Sequence, residues 1–378
     1  MSTRDSARPQ AQRGRLRGMP IVAGMVLILL LSVLPSPWEL PVNEGASTLI
    51  RGRLATPPVP GANGYTGLVT AMLLEGDARG STVVATIDLG EEVSGSIPYA
   101  NGDEVLLLYL GTDIGVARYA VADRWRGGGL VLLFALLSLL VIVVGGVRGA
   151  RALLALCVAG VLIVRFGLPA LLSGASPLLV ACGIAIAVGG STTLVTEGFT
   201  RRSTAAILGI GATLVVVGGL SIVLDRLLAF TPFAGDAELL SLLPVLGDLV
   251  DLRGIGLAAA LIGTMGIVDD VAATQVAAVD ELRKGAPRAS SRAIAARAVS
   301  IGRAHIAAVI NTLPLAYFAA ALPLIVYTML APGDFLTRIS TESVAVEIVR
   351  SMVGTIGVLL VMPLSTVAAI LVGVGEES

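Results

Sequence analysis

The chain has 378 residues, of which 55% are hydrophobic and only 14% are charged. Because about a quarter of the residues of an ordinary soluble domain are charged, this composition argues against a soluble enzyme. The formal net charge of -1 gives no electropositive field, which argues against nucleic-acid binding. The apolar residues gather in runs of about 20, the length of helix that crosses a hydrocarbon core. Composition therefore predicts a polytopic membrane protein, a membrane α-helical bundle in which the lipid bilayer is the main partner.

Charged flanks divide the apolar runs into eight candidate transmembrane helices. They cover residues 19–36, 128–147, 152–172, 176–196, 203–224, 254–279, 305–330 and 345–372. A basic tail at residues 1–18 precedes the first run and resembles the start of a signal peptide. Since Pro35, Ser36 and Pro37 make a poor cleavage site, we expect an uncleaved anchor.

Basic residues between the runs predict the orientation of the chain. The segments on the side of the N-terminus carry 15 lysine and arginine residues, six of them in a basic loop at residues 280–304, whereas the short loops on the other side carry four. Lysine and arginine resist translocation. We therefore expect both termini and the 280–304 loop to be cytoplasmic, with residues 37–127 on the outside and a seven-helix transmembrane domain at residues 128–378.

Residues 37–127 have no spanning run and alternate between β-rich stretches and turn residues. Four stretches are predicted as strands. They are Tyr65–Leu74, Thr82–Asp88, Glu104–Leu110 and Ala117–Trp125. Four or five strands in this length fit a small extracytoplasmic β-domain, an OB-like barrel or a fragment of a β-sandwich. The proline-rich approach at residues 56–60 is interpreted as an extended tether.

The sixth run carries two adjacent acidic residues. Residues 254–268 are too few to span, so we expect the helix to continue through Asp269, Asp270 and Gln275 to Val279. Asp270 then lies about 14 Å from the inner edge at ~1.5 Å per residue. An ionised carboxylate at that depth is costly, so it faces protein or water, pairs, or takes a proton.

Helical spacing places small and polar residues of the sixth run on one stripe, with Asp269 and Gln275 displaced from it. The stripe consists of Gly263, Gly266, Asp270, Thr274, Ala277 and Glu281. Glycines beside an acid favour close helix packing, and that interpretation explains Gly263 and Gly266 without a function. Two adjacent acids exceed what packing needs, so we expect a proton relay, a small-ion site or a substrate contact here.

The seventh run begins near His305 and continues through Asn311, Thr312 and Pro314. The depth of Asn311 brings it near the level of Asp270. Pro314 cannot donate to the carbonyl of Ile310, so the helix is expected to break beside Asn311, as in many transporter sites. A simple proline kink and an interfacial His305 are the alternatives.

Several motifs resemble those of the YibE/F-like family of bacterial polytopic membrane proteins. They are Gly263-Thr264-Met265-Gly266-Ile267-Val268-Asp269-Asp270, Ile301-Gly302-Arg303 with His305-Ile306, and Asn311-Thr312-Leu313. The resemblance extends from about residue 45 to the end, with a departure at Ala304, where the family favours an acidic residue. It implies a permease of the bacterial cytoplasmic membrane and names no substrate.

The leading functional hypothesis is a secondary transporter coupled to a proton or small ion. Its pathway residues are expected to be Asp269, Asp270, Thr274, Gln275, His305, Asn311 and Thr312. The rival is a non-transporting scaffold or sensor whose outer β-domain binds an envelope protein. Because no nucleotide-binding, metal-binding or nucleophile motif is found, we expect no enzyme activity and no cofactor. The sequence leaves the oligomeric state open.

Overall fold

A computed structural model describes residues 24–28, 30–31, 48–60, 66–88, 99–113, 116–231 and 250–376. The chain divides into two compact units. One comprises Val42–Leu140 and holds the β-structure. The other comprises Met1–Pro41 with Val141–Ser378 and holds the helical bundle.

The β-unit is a small closed barrel. Its strands are β1 (Leu49–Leu54), β2 (Val59–Pro60), β3 (Thr66–Leu73), β4 (Thr82–Asp88), β5 (Glu104–Asp113) and β6 (Val116–Arg124). The strand order is β1-β5-β6-β4-β3-β2, and β1 also pairs with β3, so these five strands other than β2 form a closed barrel. The short strand β2 pairs with the start of β3. Inward side chains such as Leu54, Val69, Leu107 and Tyr119 form its core. The five-stranded closure fits the OB-like alternative and not the sandwich.

Two segments of the barrel differ from the sequence prediction. Strand β1 was not predicted, because Gly52 interrupts its apolar alternation. That glycine is buried, and a Cβ there would lie 2.6 Å from Leu107 Cδ1, so a larger side chain does not fit. The expected tether is also partly a strand, since Val59 and Pro60 pair with Leu68 and Gly67.

The second unit is a bundle of long apolar helices. They are α1 (Gly127–Leu162), continued through a π-turn at Ile163–Gly167 into α2 (Leu168–Leu172), then α3 (Pro177–Glu197), α4 (Arg201–Leu228), α5 (Leu252–Gly285), α6 (Ser291–Val309), α7 (Thr312–Ala320), α8 (Leu322–Leu330), α9 (Phe335–Ile339) and α10 (Glu342–Leu371). Six helical segments of the described chain are long and apolar enough to cross a membrane. They are Gly127–Leu172, Pro177–Glu197, Arg201–Leu228, Gly254–Gly285, Ser291–Ala320 and Glu342–Leu371.

The first of these segments is a broken helix. Its 46 residues would extend about 69 Å at ~1.5 Å per residue, more than twice a hydrocarbon core. Gly146 interrupts it with φ 56° and ψ -138°. The break falls at the end of the candidate span at residues 128–147, before the next candidate span at residues 152–172. The candidate span at residues 19–36 lies mostly outside the described residues.

The basic segment at residues 280–304 is mostly helical, and its arginines at 292, 297 and 303, interleaved with alanine and isoleucine, predict an amphipathic helix over residues 289–303. Helix α5 continues to Gly285, and α6 begins at Ser291 after Ser290, whose side chain accepts a hydrogen bond from the Ala293 amide. Such a serine is a favourable N-cap. The buried residues of α6 recur every four positions, as an amphipathic helix requires. They are Ile294, Ala298, Gly302 and Ile306.

Polar contacts join the helix ends at each end of the bundle. At one end Arg202 and Lys284 both contact Asp280, and Arg283 contacts Glu376 near the C-terminus. At the other end Thr231 donates to Glu342. Successive long helices therefore run in alternating directions. Helices α3, α4, α5 and α10 form the central core, where α5 packs against all three of the others.

Candidate functional site

Helix α5 holds Asp269 against α3. The Thr192 hydroxyl lies 2.5 Å from Asp269 Oδ2, and the Thr193 hydroxyl donates to Oδ1 at 3.0 Å. The helices approach closely one turn away, where a Cβ on Gly189 would lie 2.2 Å from Met265 Cε. The half-buried carboxylate of Asp269 is thus hydrogen-bonded at both oxygens by neighbouring threonines.

Thr192 has a second acceptor within reach. Its hydroxyl lies 3.0 Å from the Gly189 carbonyl, one turn earlier on α3. A hydroxyl carries one proton, so Thr192 donates either to that carbonyl or to Asp269. The contact with Asp269 therefore has two hydrogen-bonding arrangements with the same heavy-atom positions.

Asp270 faces away from Asp269, because successive side chains of a helix point about 100° apart. It is exposed on the surface of the bundle, and His305 on α6 lies near enough for an electrostatic interaction. The Thr274 hydroxyl, one turn further along α5, donates to the Asp270 carbonyl at 2.8 Å. Asp269 thus faces α3 inside the bundle, whereas Asp270 lies on the surface of the bundle.

Gln275 is a bridge between helices. Its buried side-chain amide donates to the Ala298 carbonyl at 2.9 Å and to the Thr366 hydroxyl at 2.8 Å. Its other side-chain atom, Oε1, would lie 2.6 Å from a Cβ on Gly302. These contacts tie α5 to α6 and α10, so Gln275 has a packing role, and its expected pathway role stays a prediction.

The helix break near Asn311 is present. Helix α6 ends at Val309, and α7 begins at Thr312, two residues before Pro314. The Thr312 hydroxyl donates to the Val309 carbonyl at 2.6 Å, and Asn311 is exposed. Within the described part of the chain, neither Asn311 nor Thr312 hydrogen-bonds to Asp269 or Asp270. The structure brings only His305 of this run to the carboxylates.

The two predicted packing glycines differ in their surroundings. A Cβ on Gly263 would lie 2.8 Å from Tyr317 Oη, so this glycine permits a close contact with α7. A Cβ on Gly266 would meet no atom within 4 Å. Among the described residues, Gly266 therefore makes no close helix contact.

A comparison with known protein families identifies the bundle. The family model described as YibE/F-like protein matches residues 133–373, more than half of the chain. The chain belongs to the YibE/F-like family. The matched region contains Asp269, Asp270, the two threonines and His305, and it omits the β-barrel. No curated protein and no solved structure matches the chain.

The YibE/F-like region has a second polar cluster, which the sequence analysis missed. Glu347 and Arg350 form an ion pair on α10, and Tyr317 lies near both and hydrogen-bonds to Thr264. The Arg350 Nη2 atom would lie 3.4 Å from a Cβ on Gly256 of α5. The signal was present in the sequence, because Glu347 and Arg350 stand three residues apart inside a candidate span.

The described residues contain no group of three or more histidine, cysteine, aspartate or glutamate side chains that could hold a metal ion. The groups around Asp269 suit proton exchange, because a hydroxyl can donate or accept a hydrogen bond and a carboxyl group donates when protonated and accepts when ionised.

Proposed function

We propose that this YibE/F-like protein is a secondary transporter in which Asp269 carries a proton. The observation that supports this most directly is the position of the Thr192 hydroxyl, 2.5 Å from Asp269 and 3.0 Å from the Gly189 carbonyl. This geometry satisfies the hydrogen bonds of both protonation states of the acid.

The two states differ only in hydroxyl and proton positions. When Asp269 is ionised, Thr192 and Thr193 both donate to it. When Asp269 is protonated, its carboxyl proton is donated to Thr192 Oγ1, and the Thr192 proton turns to the Gly189 carbonyl. Neither state leaves a buried group without a partner, so the protein carries the proton without the cost of an unmade hydrogen bond.

Asp270 and His305 supply the route to the surface of the bundle. Asp270 precedes Asp280, in the charged cluster at the helix ends, by ten residues, about 15 Å along the helix. A carboxylate that faces hydrocarbon is costly at this depth. We therefore infer that water reaches the face with Asp270 and His305 and passes protons between Asp269 and the Asp280 end.

We propose a location in the bacterial cytoplasmic membrane. The basic flanks support an Asp280 end on the cytoplasmic side and a barrel on the outside. Since the sequence has no nucleotide-binding motif, an ion gradient has to drive transport, and we propose no enzyme activity.

The test begins with the compound whose level changes when the gene is deleted. Metabolite profiling of the deletion strain and its parent identifies that compound, and proteoliposomes with the purified protein measure its uptake under an imposed proton gradient. We expect gradient-driven uptake by the wild type and none by Asp269→Asn, which keeps size and hydrogen bonding but loses the exchangeable proton.

Glu281→Gln is the matched control. Glu281 lies on the same helix, and its side chain is 72% exposed at the charged end. We expect this variant to transport like the wild type and Asp270→Asn to transport slowly. Uptake by Asp269→Asn at the wild-type rate would contradict the proposal.

A further inference from the structure

The mouth of the β-barrel contains a cleft of about 320 Å³. It lies between the start of β1, the β3–β4 turn and the paired strands β5 and β6. Its lining includes the apolar side chains of Ile50 and Leu73, the aromatic rings of Tyr109 and Tyr119, and the carboxylates of Glu75 and Asp77. This volume is at the lower end of the range for small-molecule sites, so it suits one side chain or a short linear molecule.

The floor of the cleft is apolar and fixed. Leu73 and Tyr119 belong to the barrel core, with exposed fractions of 1% and 8%, and Ile50 packs against that core. The ring of Tyr109 stands 5.5 Å from that of Tyr119 and is tilted by 51°. Packed rings of this kind form a rigid wall that an aliphatic stem can cover.

The rim of the cleft is acidic. Glu75 and Asp77 lie on the exposed β3–β4 turn, and the Glu75 side chain is 57% exposed. The Arg51 Nη1 atom is 3.9 Å from Glu75, but Arg51 binds Glu104 at 2.6 Å and lies over the Trp125 ring. Arg51 is thus shared between Glu75 and these other groups, and the rim is acidic because the residues that line the cleft include two carboxylates and no basic side chain.

We propose that the cleft binds a cationic group on an apolar stem. The stem covers Ile50 and Tyr109, while an ammonium or guanidinium group meets Glu75 and Asp77. Lysine and arginine side chains combine these two parts, and a cation near a tyrosine ring gains a further attraction. The same chemistry occurs in a free diamine and in a basic segment of a polypeptide.

Other ligand classes fit less well. An anionic group would meet the charge of Glu75 and Asp77, and a neutral sugar would leave that charge unmatched. The cationic ligand is the one that uses both the floor and the rim. This binding is independent of the transport proposed above, because it involves only residues of the β-unit.

The test uses the full chain in lipid nanodiscs and isothermal titration calorimetry. The probes are cadaverine, a blocked pentalysine peptide and the same peptide with acetylated lysines. We expect the charged probes to bind and the acetylated peptide not to bind. Binding of the peptide alone would assign the site to a polypeptide, and binding of both charged probes would assign it to the cationic group itself.

Variants keep the result specific to the cleft. The double variant with Glu75→Gln and Asp77→Asn is expected to weaken binding by about tenfold or more, as loss of charge-assisted hydrogen bonds does. Asp123→Asn changes an exposed carboxylate of the same barrel outside the cleft and should leave binding unchanged. Unchanged binding by the double variant, equal binding of the acetylated peptide, or no binding of any probe would each overturn the proposal.

Discussion

Thr192 on α3 and Asp269 on α5 are joined by a hydrogen bond of 2.5 Å between hydroxyl and carboxylate. The bond joins two helices through residues that are 77 positions apart in the sequence. It gives an intramembrane acid a neutral partner that can donate or accept. Stability and transport should therefore both respond to this pair.

The first prediction concerns the strength of this bond. Thr192→Val keeps the side-chain shape and removes the donor, and we expect a loss of about 1 to 3 kcal/mol of unfolding free energy, because a buried acceptor then lacks a partner. In a double-mutant cycle with Asp269→Asn, we expect a coupling energy of about 0.6 to 1.7 kcal/mol. Reversible unfolding in mixed micelles measures both values.

Thr196→Val is the control for that cycle. The Thr196 hydroxyl bonds to backbone carbonyls of Thr192 and Thr193 and not to the carboxylate. We expect its effect to add to that of Asp269→Asn with no coupling. A coupling as large as that of Thr192 would show that the cycle reports helix packing in general.

The second prediction concerns Gln275. Gln275→Leu removes the donor to the Ala298 carbonyl and to Thr366, so we expect unfolding free energy to fall by about 1 to 3 kcal/mol. Transport per folded molecule should stay at the wild-type value. Thr274→Val, on the exposed side of the same helix, should be tolerated in both measurements. Loss of transport by a stable Gln275→Leu protein would return this residue to the pathway.

The sequence could identify the two acids but not their partners. Hydropathy alone predicts that Asp269 and Asp270 lie within a spanning helix. Which helix each one faces depends on the packing of α5. The helical period shows which residues share a face, but it does not show which helix packs against that face. The contacts of Gln275 could not be predicted for a related reason, because the pattern of residues 289–303 predicts a helix but not that its Ala298 carbonyl faces Gln275. Most of the barrel strands were predictable from the sequence. The exception is β1, whose apolar alternation is interrupted by Gly52.

The third prediction uses two glycines of α4. A Cβ on Gly209 would lie 2.7 Å from the backbone Cα of Ser365 on α10, so Gly209→Ala requires the helices to separate. We expect a loss of about 1 to 3 kcal/mol. Gly219→Ala on the same helix meets open space and should be neutral or slightly stabilising, because alanine favours helix. Equal thermal stability of the two variants would contradict this contact between α4 and α10.

The fourth prediction concerns the acid stability of the β-unit. Hydrogen bonds from Arg53 and Arg51 hold the pKa of Glu104 below its ordinary value of 4.5. An acid with a lowered pKa in the folded state stabilises the fold above its unfolded pKa, and that contribution is lost as the pH falls through the folded value. We therefore expect the barrel to lose stability as the pH falls below the ordinary glutamate value of 4.5.

Trp125 fluorescence in a Trp38→Phe background measures this loss, since the sequence has two tryptophans and Arg51 lies over the Trp125 ring. Glu104→Gln should lower the stability at neutral pH and flatten the acid transition. A transition of unchanged steepness in Glu104→Gln would assign the acid sensitivity to other carboxylates.

The last prediction concerns the side of the membrane on which each segment lies. Arg288 is exposed between α5 and α6, and Asn101 is exposed in the turn before β5, two residues from Asp103. In a background without Cys157 and Cys182, an impermeant maleimide should label Asn101→Cys in intact cells. It should label Arg288→Cys only after permeabilisation, because the basic flanks predict that this turn is cytoplasmic. Labelling of Arg288→Cys but not of Asn101→Cys in intact cells would invert the topology and put the Asp280 end of the proposed proton route outside.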